Sequence, residues 1–272
     1  MPVFIASLNS GSNGNCYYVG NAHEAVLIDV GISCRETEIR MNRLGLSMKK
    51  VKAIFVSHEH SDHIRGITVL AKKYGLPVYI TQQTLLKGGL FLDKVFEFKS
   101  HHPIYIGDLQ ITAFKKFHDA AEPHSFVISC GNVNVGVFTD IGSVCDNLID
   151  HFKICHAAFL EANYDEEMLE NGRYPYHLKR RIRSGHGHLS NTQALSLFID
   201  YKPAHMSHLF LAHLSKDNNC PKLVYNLFNG YARGAEIIVA SRYEETPVYF
   251  IDASTSNAVT VNTIAQTQFS LF

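Results

Sequence analysis

The chain is 272 residues long, with 46% hydrophobic residues, 18% charged residues, no tryptophan and a formal net charge of zero. This is the composition of a globular protein long enough to bury a sizeable core as one domain or a close-knit pair. It excludes binding of a polyanion through a global positive field, so any nucleic-acid contact must come from a local basic patch or from bound metal. The sixteen histidines are the main departure from ordinary usage.

In chain order, Val3–Leu8 reads as a strand and Asn9–Cys16 as a tight glycine-rich loop. From spacing alone that loop is either an anion cradle of backbone amides or a plain hairpin turn. Tyr17–Val19 and Ala25–Asp29 are the next strands. Asp29 ends an apolar run just before Gly31, a position suited to a carboxylate that orients a metal-bound histidine. Ser33–Leu44 has helical character, and Lys50–Ser57 is a strand. That strand feeds Ser57-His58-Glu59-His60-Ser61-Asp62-His63, a loop with several imidazole and carboxylate ligands for a divalent ion. In an extended loop His58 and His60 point the same way, because side chains alternate with period two. Beyond them the chain turns through Asp62 and His63, which can reach a second ion.

Ile64–Tyr74 reads as one amphipathic helix stopped by Gly75 and Pro77, and Val78–Thr81 as a strand. Val95–Phe98, Ile104–Ile106 and Leu109–Phe114 are short strands, followed by the polar loop Phe117-His118-Asp119-Ala120-Ala121-Glu122-Pro123. Phe126–Cys130 and Asn134–Thr139 form a hairpin ending in Asp140, Val144–Ile149 is helical, and Ala157–Leu160 is a strand ending in Glu161. A basic run follows, with Lys179, Arg180, Arg181 and Arg183 leading into Ser184-Gly-His-Gly-His-Leu-Ser-Asn191. In isolation such a run is a solvated helix face, but beside a histidine-rich loop it suits phosphate binding. Thr192–Tyr201 is a helix, Met206–Ala212 a strand leading to His213, Pro221–Phe228 a helix, and Glu236–Ala240 and Val248–Ile251 the last strands. The body reads as one α/β domain over residues 1–255 with a small, polar tail over 256–272.

The six cysteines show no C-x-x-C pairing, which favours reduced thiols over a disulfide framework. No basic segment followed by an apolar one opens the chain, and no apolar run approaches the roughly 18 residues of a membrane span. The expectation is a soluble, cytoplasmic protein with no membrane partner.

His58, His60, Asp62, His63, His118, Asp140 and His213 each follow an apolar strand, so they can converge on one edge of a sheet core and serve two ions with a shared carboxylate. With these motifs in this order, the sequence resembles the metallo-β-lactamase superfamily over essentially residues 1–252. The resemblance implies a four-layer αββα sandwich in which His58, His60 and His118 hold one ion, Asp62, His63 and His213 hold the other, and Asp140 bridges. The stretches SGSNGNCYY, SHEHSDH, FHDAAEP, TDIG, LEANYD, SGHGHLSN and LAHLSKDNNCP are similar to the WalJ/YycJ branch of that superfamily. This branch implies a 5′-to-3′ DNA exonuclease acting in DNA repair. Glu161 and His188 are similar to the glutamate and histidine with which RNase Z-type enzymes assist phosphate cleavage, and His186 competes for the histidine's role. Asp62 is expected to orient the attacking hydroxide. The ions implied are zinc or manganese, with iron also compatible with mixed His/Asp ligands. Gln268-Phe269-Ser270-Leu271-Phe272 resembles the peptide by which bacterial repair proteins bind the DNA polymerase sliding clamp; Gln268, Phe269, Leu271 and Phe272 would be its anchors. The rival functions are an RNase Z-like ribonuclease, a cyclic-phosphate phosphodiesterase and a non-catalytic metal-binding regulator.

Overall fold

The computed structural model describes residues 1–253; the Gln268–Phe272 peptide lies outside them. Fourteen strands make two sheets of seven among the described residues. They are β1 Val3–Asn9, β2 Cys16–Gly20, β3 Ala25–Ile28, β4 Val51–Phe55, β5 Val78–Tyr79, β6 Val95–Phe96, β7 Ile104–Ile106, β8 Leu109–Lys115, β9 His124–Cys130, β10 Val133–Phe138, β11 Ala157–Glu161, β12 His208–Ala212, β13 Glu236–Val239 and β14 Tyr249–Ile251. The first sheet runs β14-β1-β2-β3-β4-β5-β6 and the second β13-β12-β11-β10-β9-β8-β7.

Strands β2, β3, β11 and β12 are buried at every residue. A strand reads as a continuous apolar run, without alternation, when both of its faces are covered. One face of each sheet packs on the other sheet, through Val19, Ile28 and Phe55 on one side and Phe126, Phe159 and Phe210 on the other. Helices cover the outer faces. Cys34–Arg43 and Ile67–Tyr74 lie on the first sheet, and Asp146–Phe152, Asn191–Tyr201 and Pro221–Asn229 lie on the second. The result is the four-layer αββα sandwich.

Half of each sheet is parallel: β3-β4-β5-β6 in the first and β10-β11-β12-β13 in the second. In such sheets ligands collect at the carboxyl ends of the strands. Here Asp29 follows β3, the Ser57–His63 loop follows β4, His118 follows β8, Asp140 follows β10, Glu161 ends β11 and His213 follows β12.

Four elements differ from the sequence expectation. The helix expected over 64–74 is two helices, Ser61–Ile64 and Ile67–Tyr74, broken at Gly66. Gly66 donates its amide to Val30 O at 2.8 Å, and a β-carbon there would lie 2.0 Å from Ile32 O, so the break is forced by close packing against the loop after β3. Helices Gln82–Gly88 and Glu166–Asn171 were not anticipated. Each is short, with one buried side chain, and is started by a side-chain cap from Thr81 or Asp165. The helix expected over 144–149 lies at Asp146–Phe152.

Candidate metal centre

Non-glycine residues rarely take a left-handed backbone conformation. Three of the five described here, Asp29 (φ 59°), Asp140 (φ 54°) and His213 (φ 55°), sit at the strand ends just named. Each turns its side chain into one shared space directly after a strand. Strain of this kind, about 1–3 kcal/mol per residue, persists where the surroundings over-determine it, and it clusters at functional sites.

Four histidines have Nδ1 occupied by the surrounding protein. His63 Nδ1–H donates to Asp29 Oδ2 at 2.7 Å, and His118 Nδ1–H donates to Gly187 O at 2.9 Å. His213 Nδ1–H donates to Glu161 Oε1 at 2.9 Å. Ser57 Oγ–H donates to Asp29 Oδ2 at 2.7 Å and so accepts from His58 Nδ1–H at 2.9 Å. Holding Nδ1 in this way aims each Nε2 into the shared space, which is how proteins prepare imidazole ligands. His60 instead presents Nδ1, 3.1 Å from His58 Nε2 and 3.4 Å from His118 Nε2.

Four overlapping groups offer ligand atoms within 4.8 Å of one another among the described residues: His58, His60 and His118; Asp62, His63 and His213; His58, His63 and Asp140; and Asp140, Glu161, His188 and His213. The first two share no residue. Asp140 lies between them, with Oδ2 3.0 Å from His63 Nε2 and Oδ1 3.3 Å from His213 Nδ1 and 3.7 Å from His118 Nε2. These donors suit a divalent cation. Asp140 Oδ2 and His213 Nε2 are buried without a hydrogen-bond partner, a costly state for polar atoms that a bound cation would relieve. The electrostatics agree. Burial by itself would lower the pKa of His213, yet Asp140, Asp62 and Glu161 push it up to about 10. Burial would raise Asp140, yet His213 and His63 hold it well below the usual carboxylate range. Burial dominates at His118 and brings it down to about 3, as a neutral ligand requires.

Glu161 is saturated with donors. Oε1 accepts from His188 Nδ1–H at 2.8 Å and from His213 Nδ1–H, while Oε2 accepts from the amides of Ile141 (2.7 Å) and Leu189 (3.1 Å). Burial would raise its pKa, but His188 and His213 bring it down to about 2. The one carboxylate therefore holds both a ligand histidine and His188, whose side chain remains 18% exposed. His186 is exposed and meets Phe117 edge-on at 5.8 Å, away from Glu161.

The basic run occupies helix Tyr176–Arg183. Arg181 pairs with Asp119, whose Oδ1 lies 3.4 Å from His118 Nε2, so this guanidinium borders the cluster. Arg183 pairs with the Glu170 carboxylate, Lys179 donates to the Glu170 carbonyl, and Arg180 lies over the Tyr176 ring. Of the remaining histidines, His208 and His124 are buried on strands and His151 stacks on Phe114, away from the ligand groups.

Sequence reasoning missed two buried residues. Asn15 Nδ2 lies 3.2 Å from Asp62 Oδ2 and 3.1 Å from His63 Nε2. The amides of Ser10, Gly11, Gly14 and Asn15 are all used internally, so the glycine-rich loop carries Asn15 rather than cradling an anion. Lys116 Nζ donates to Thr139 O at 2.6 Å, pinning the peptide ahead of Asp140. The only local hint was its place one strand-end residue from Phe117-His118.

Gly31 makes the clustering possible, because a β-carbon there would lie 1.6 Å from Asp62 O and 2.6 Å from Asn15 N. Gly31→Ala should push the metal loop away from the Asn15 loop and cost about 2–3 kcal/mol, an overpacking penalty. Denaturant unfolding measures that loss, and metal analysis should show reduced content; unchanged values for both would refute the packing role.

A family model described as "Beta-lactamase superfamily domain" matches residues 24–213. The chain is 40% identical over 228 residues to "Exodeoxyribonuclease YycJ" of Bacillus anthracis, covering 82% of this chain and 86% of that protein. It is 32% identical over 225 residues to "Exodeoxyribonuclease WalJ" of Streptococcus pneumoniae, covering 80% and 84%. Among solved structures, the metallo-β-lactamase fold protein YhfI from Bacillus subtilis superposes with a TM-score of 0.71 at 17% identity, over 92% of this chain and all of that one, a likeness of fold.

Proposed function

The chain belongs to the metallo-β-lactamase superfamily, in its YycJ/WalJ-type branch, and from that premise we propose that it is a two-ion phosphodiesterase degrading DNA from the 5′ end in DNA repair. The observation that carries the reading is the Glu161 carboxylate shared between His213, in the ligand set, and His188, outside it. A phosphodiester needs a proton for its departing alkoxide, which a histidine held this way can give, whereas the thiolate of a thioester leaves without one.

In this reading His58, His60 and His118 would hold one divalent ion, Asp62, His63 and His213 another, and Asp140 would serve both. Zinc and manganese fit the nitrogen and oxygen donors, and iron is compatible. When bound, such ions supply Lewis acidity, lowering the pKa of water and offsetting phosphate charge. The protein does the rest. Asp62, with 17% of its side chain exposed, orients the attacking water. His188 keeps its Nδ1 proton on Glu161 and delivers a second proton from Nε2 to the leaving oxygen, while the carboxylate fixes the ring's orientation. Arg181, Arg180, Lys179 and Arg183 offer phosphate contacts at the rim. Asp29 holds His63 in place. The unpaired cysteines suit a reducing, cytoplasmic setting.

The assignment is tested with 5′-labelled and 3′-labelled duplex and single-stranded DNA, and with RNA of the same sequence. Immediate release of labelled mononucleotide from the 5′ label, with slow loss of the 3′ label and little action on RNA, is expected. Preferential RNA cleavage would replace this reading with a ribonuclease.

The Gln268–Phe272 peptide would bring the domain to a sliding clamp. Its deletion should abolish clamp binding in a pull-down or by surface plasmon resonance while leaving turnover on short DNA unchanged. Clamp affinity that survives the deletion refutes the tether.

A further inference from the structure

We infer that Ser10, Tyr17 and Asn15 form a buried hydrogen-bond relay that positions the Asp62, His63 and His213 group, and so sets the affinity of one of the two ions. The three are positioning residues, supplied by the glycine-rich loop after β1 and the start of β2. The inference rests on the two-ion reading of the centre.

The relay is directed along its whole length. The His213 amide donates to Ser10 Oγ at 2.8 Å, and Ser10 Oγ lies 2.7 Å from Tyr17 Oη. The Tyr17 hydroxyl donates to Asn15 Oδ1 at 3.2 Å, so the bond between the two hydroxyls takes its hydrogen from Ser10. Asn15 Oδ1 also accepts from the Gly11 amide at 3.0 Å. With two donors on Oδ1, the side-chain amide has one orientation, and Nδ2 faces the ligands. It lies 3.2 Å from Asp62 Oδ2 and 3.1 Å from His63 Nε2. Asp62 Oδ2 is in turn the oxygen 3.6 Å from both His63 Nε2 and His213 Nε2. One chain of hydrogen bonds therefore reaches all three members of this group, through the backbone of His213 and the side chains of Asp62 and His63. The hydrogen bonds of His58, His60 and His118 go elsewhere: to Ser57, to one another and to Gly187 O.

The mount is rigid. Ser10, Asn15 and Tyr17 are at most 1% exposed, and hydrogen bonds in such low-dielectric surroundings are stronger than in water. The Asn15 amide donates to Asp62 O at 2.7 Å and its carbonyl accepts from the Gly31 amide at 2.8 Å, so the side chain is presented from a backbone already tied to the metal loop. The Tyr17 ring packs on Phe159 in the core between the sheets, with centroids 4.9 Å apart, which fixes its hydroxyl to the middle of the sandwich. His213 benefits most, because its left-handed backbone (φ 55°) is held by the bond to Ser10.

The test uses full-length protein stripped of metal and titrated with zinc in competition with a chromophoric chelator, with melting of the metal-free protein as the folding control. Wild type should take up two ions. Asn15→Ala should weaken one of them by about 10–100-fold, the effect of losing a ligand-orienting partner, and leave the other within about twofold. Tyr17→Phe keeps the ring and touches no ligand, yet it should weaken the same ion by about 3–10-fold, the scale of one hydrogen bond. The double variant should fall short of the product of the two effects, because both act through the Asn15 amide. His60→Ala, in the other ligand group, should remove the ion that Asn15→Ala leaves. Tyr17→Phe keeps the test valid if Asn15→Ala disturbs the loop. Wild-type affinity for both ions in Tyr17→Phe, or equal weakening of both ions in either variant, would overturn the relay and leave the two-ion centre in place. If wild type binds a single ion, the two-ion reading falls; the relay then stands when Asn15→Ala and Tyr17→Phe weaken that ion, and falls when they do not.

Discussion

Asp140→Ala should eliminate DNA degradation, with a fall of at least about 10³-fold in kcat, and should reduce the metal retained per chain. The expectation follows from its position between the two ligand groups: its oxygens lie 3.0 Å from His63 Nε2 and 3.3 Å from His213 Nδ1. Preorganised electrostatic stabilisation at the reacting centre is usually the largest single contribution to catalysis, and losing one donor alone costs about 10²–10³. Losing a carboxylate shared by two ions should exceed that. Asp140→Asn keeps the size and one oxygen, so it should fold normally and lose most of the activity. Metal analysis by plasma mass spectrometry, with thermal melts as the folding control, distinguishes these effects. Full metal content with near-normal turnover in Asp140→Ala would remove Asp140 from the centre.

His188→Ala should lower kcat by about 10²–10⁴, the range of general acid–base catalysis, while leaving metal content intact. Loss of metal instead would make His188 a ligand. The deficit should shrink for a p-nitrophenyl phosphodiester, because that leaving group departs without a proton. A merely structural role would slow both substrates alike. Glu161→Gln is the informative companion. The carboxylate accepts four hydrogen bonds, and an amide nitrogen in place of either oxygen would face donors. Its variant should therefore lose turnover through His188 and also weaken metal binding through His213, by about 10–100-fold for a lost ligand-orienting partner.

The local parts of this centre are legible in the chain. His58, His60, Asp62 and His63 are close in sequence, and β4 leads into them. Asp29, His118, Asp140, Glu161 and His213 could be singled out because each ends or closely follows an apolar run, and unalternated runs mark strands covered on both faces. What the sequence does not show is which side chain holds which. The bond from Glu161 to His213 exists because β11 and β12 are parallel neighbours, with Glu161 opposite Ala212 in register. Asn15 and Lys116 reach the site across distances in sequence that no local pattern encodes, from Asn15 to His63 and from Lys116 to Thr139. The same holds for the basic run. Its sequence suggests four free cations, whereas Arg181 and Arg183 are paired with Asp119 and Glu170. Packing also explains the broken helix at Gly66, where tertiary contact with the loop after β3 overrides a helical pattern.

Metal reconstitution tests the central claim most directly. Protein stripped by chelation should leave 5′-labelled duplex DNA intact, and stepwise return of manganese or zinc should restore degradation until two ions are bound per chain. Degradation by the metal-free protein, or no degradation of any DNA form at full metal content, would contradict the account.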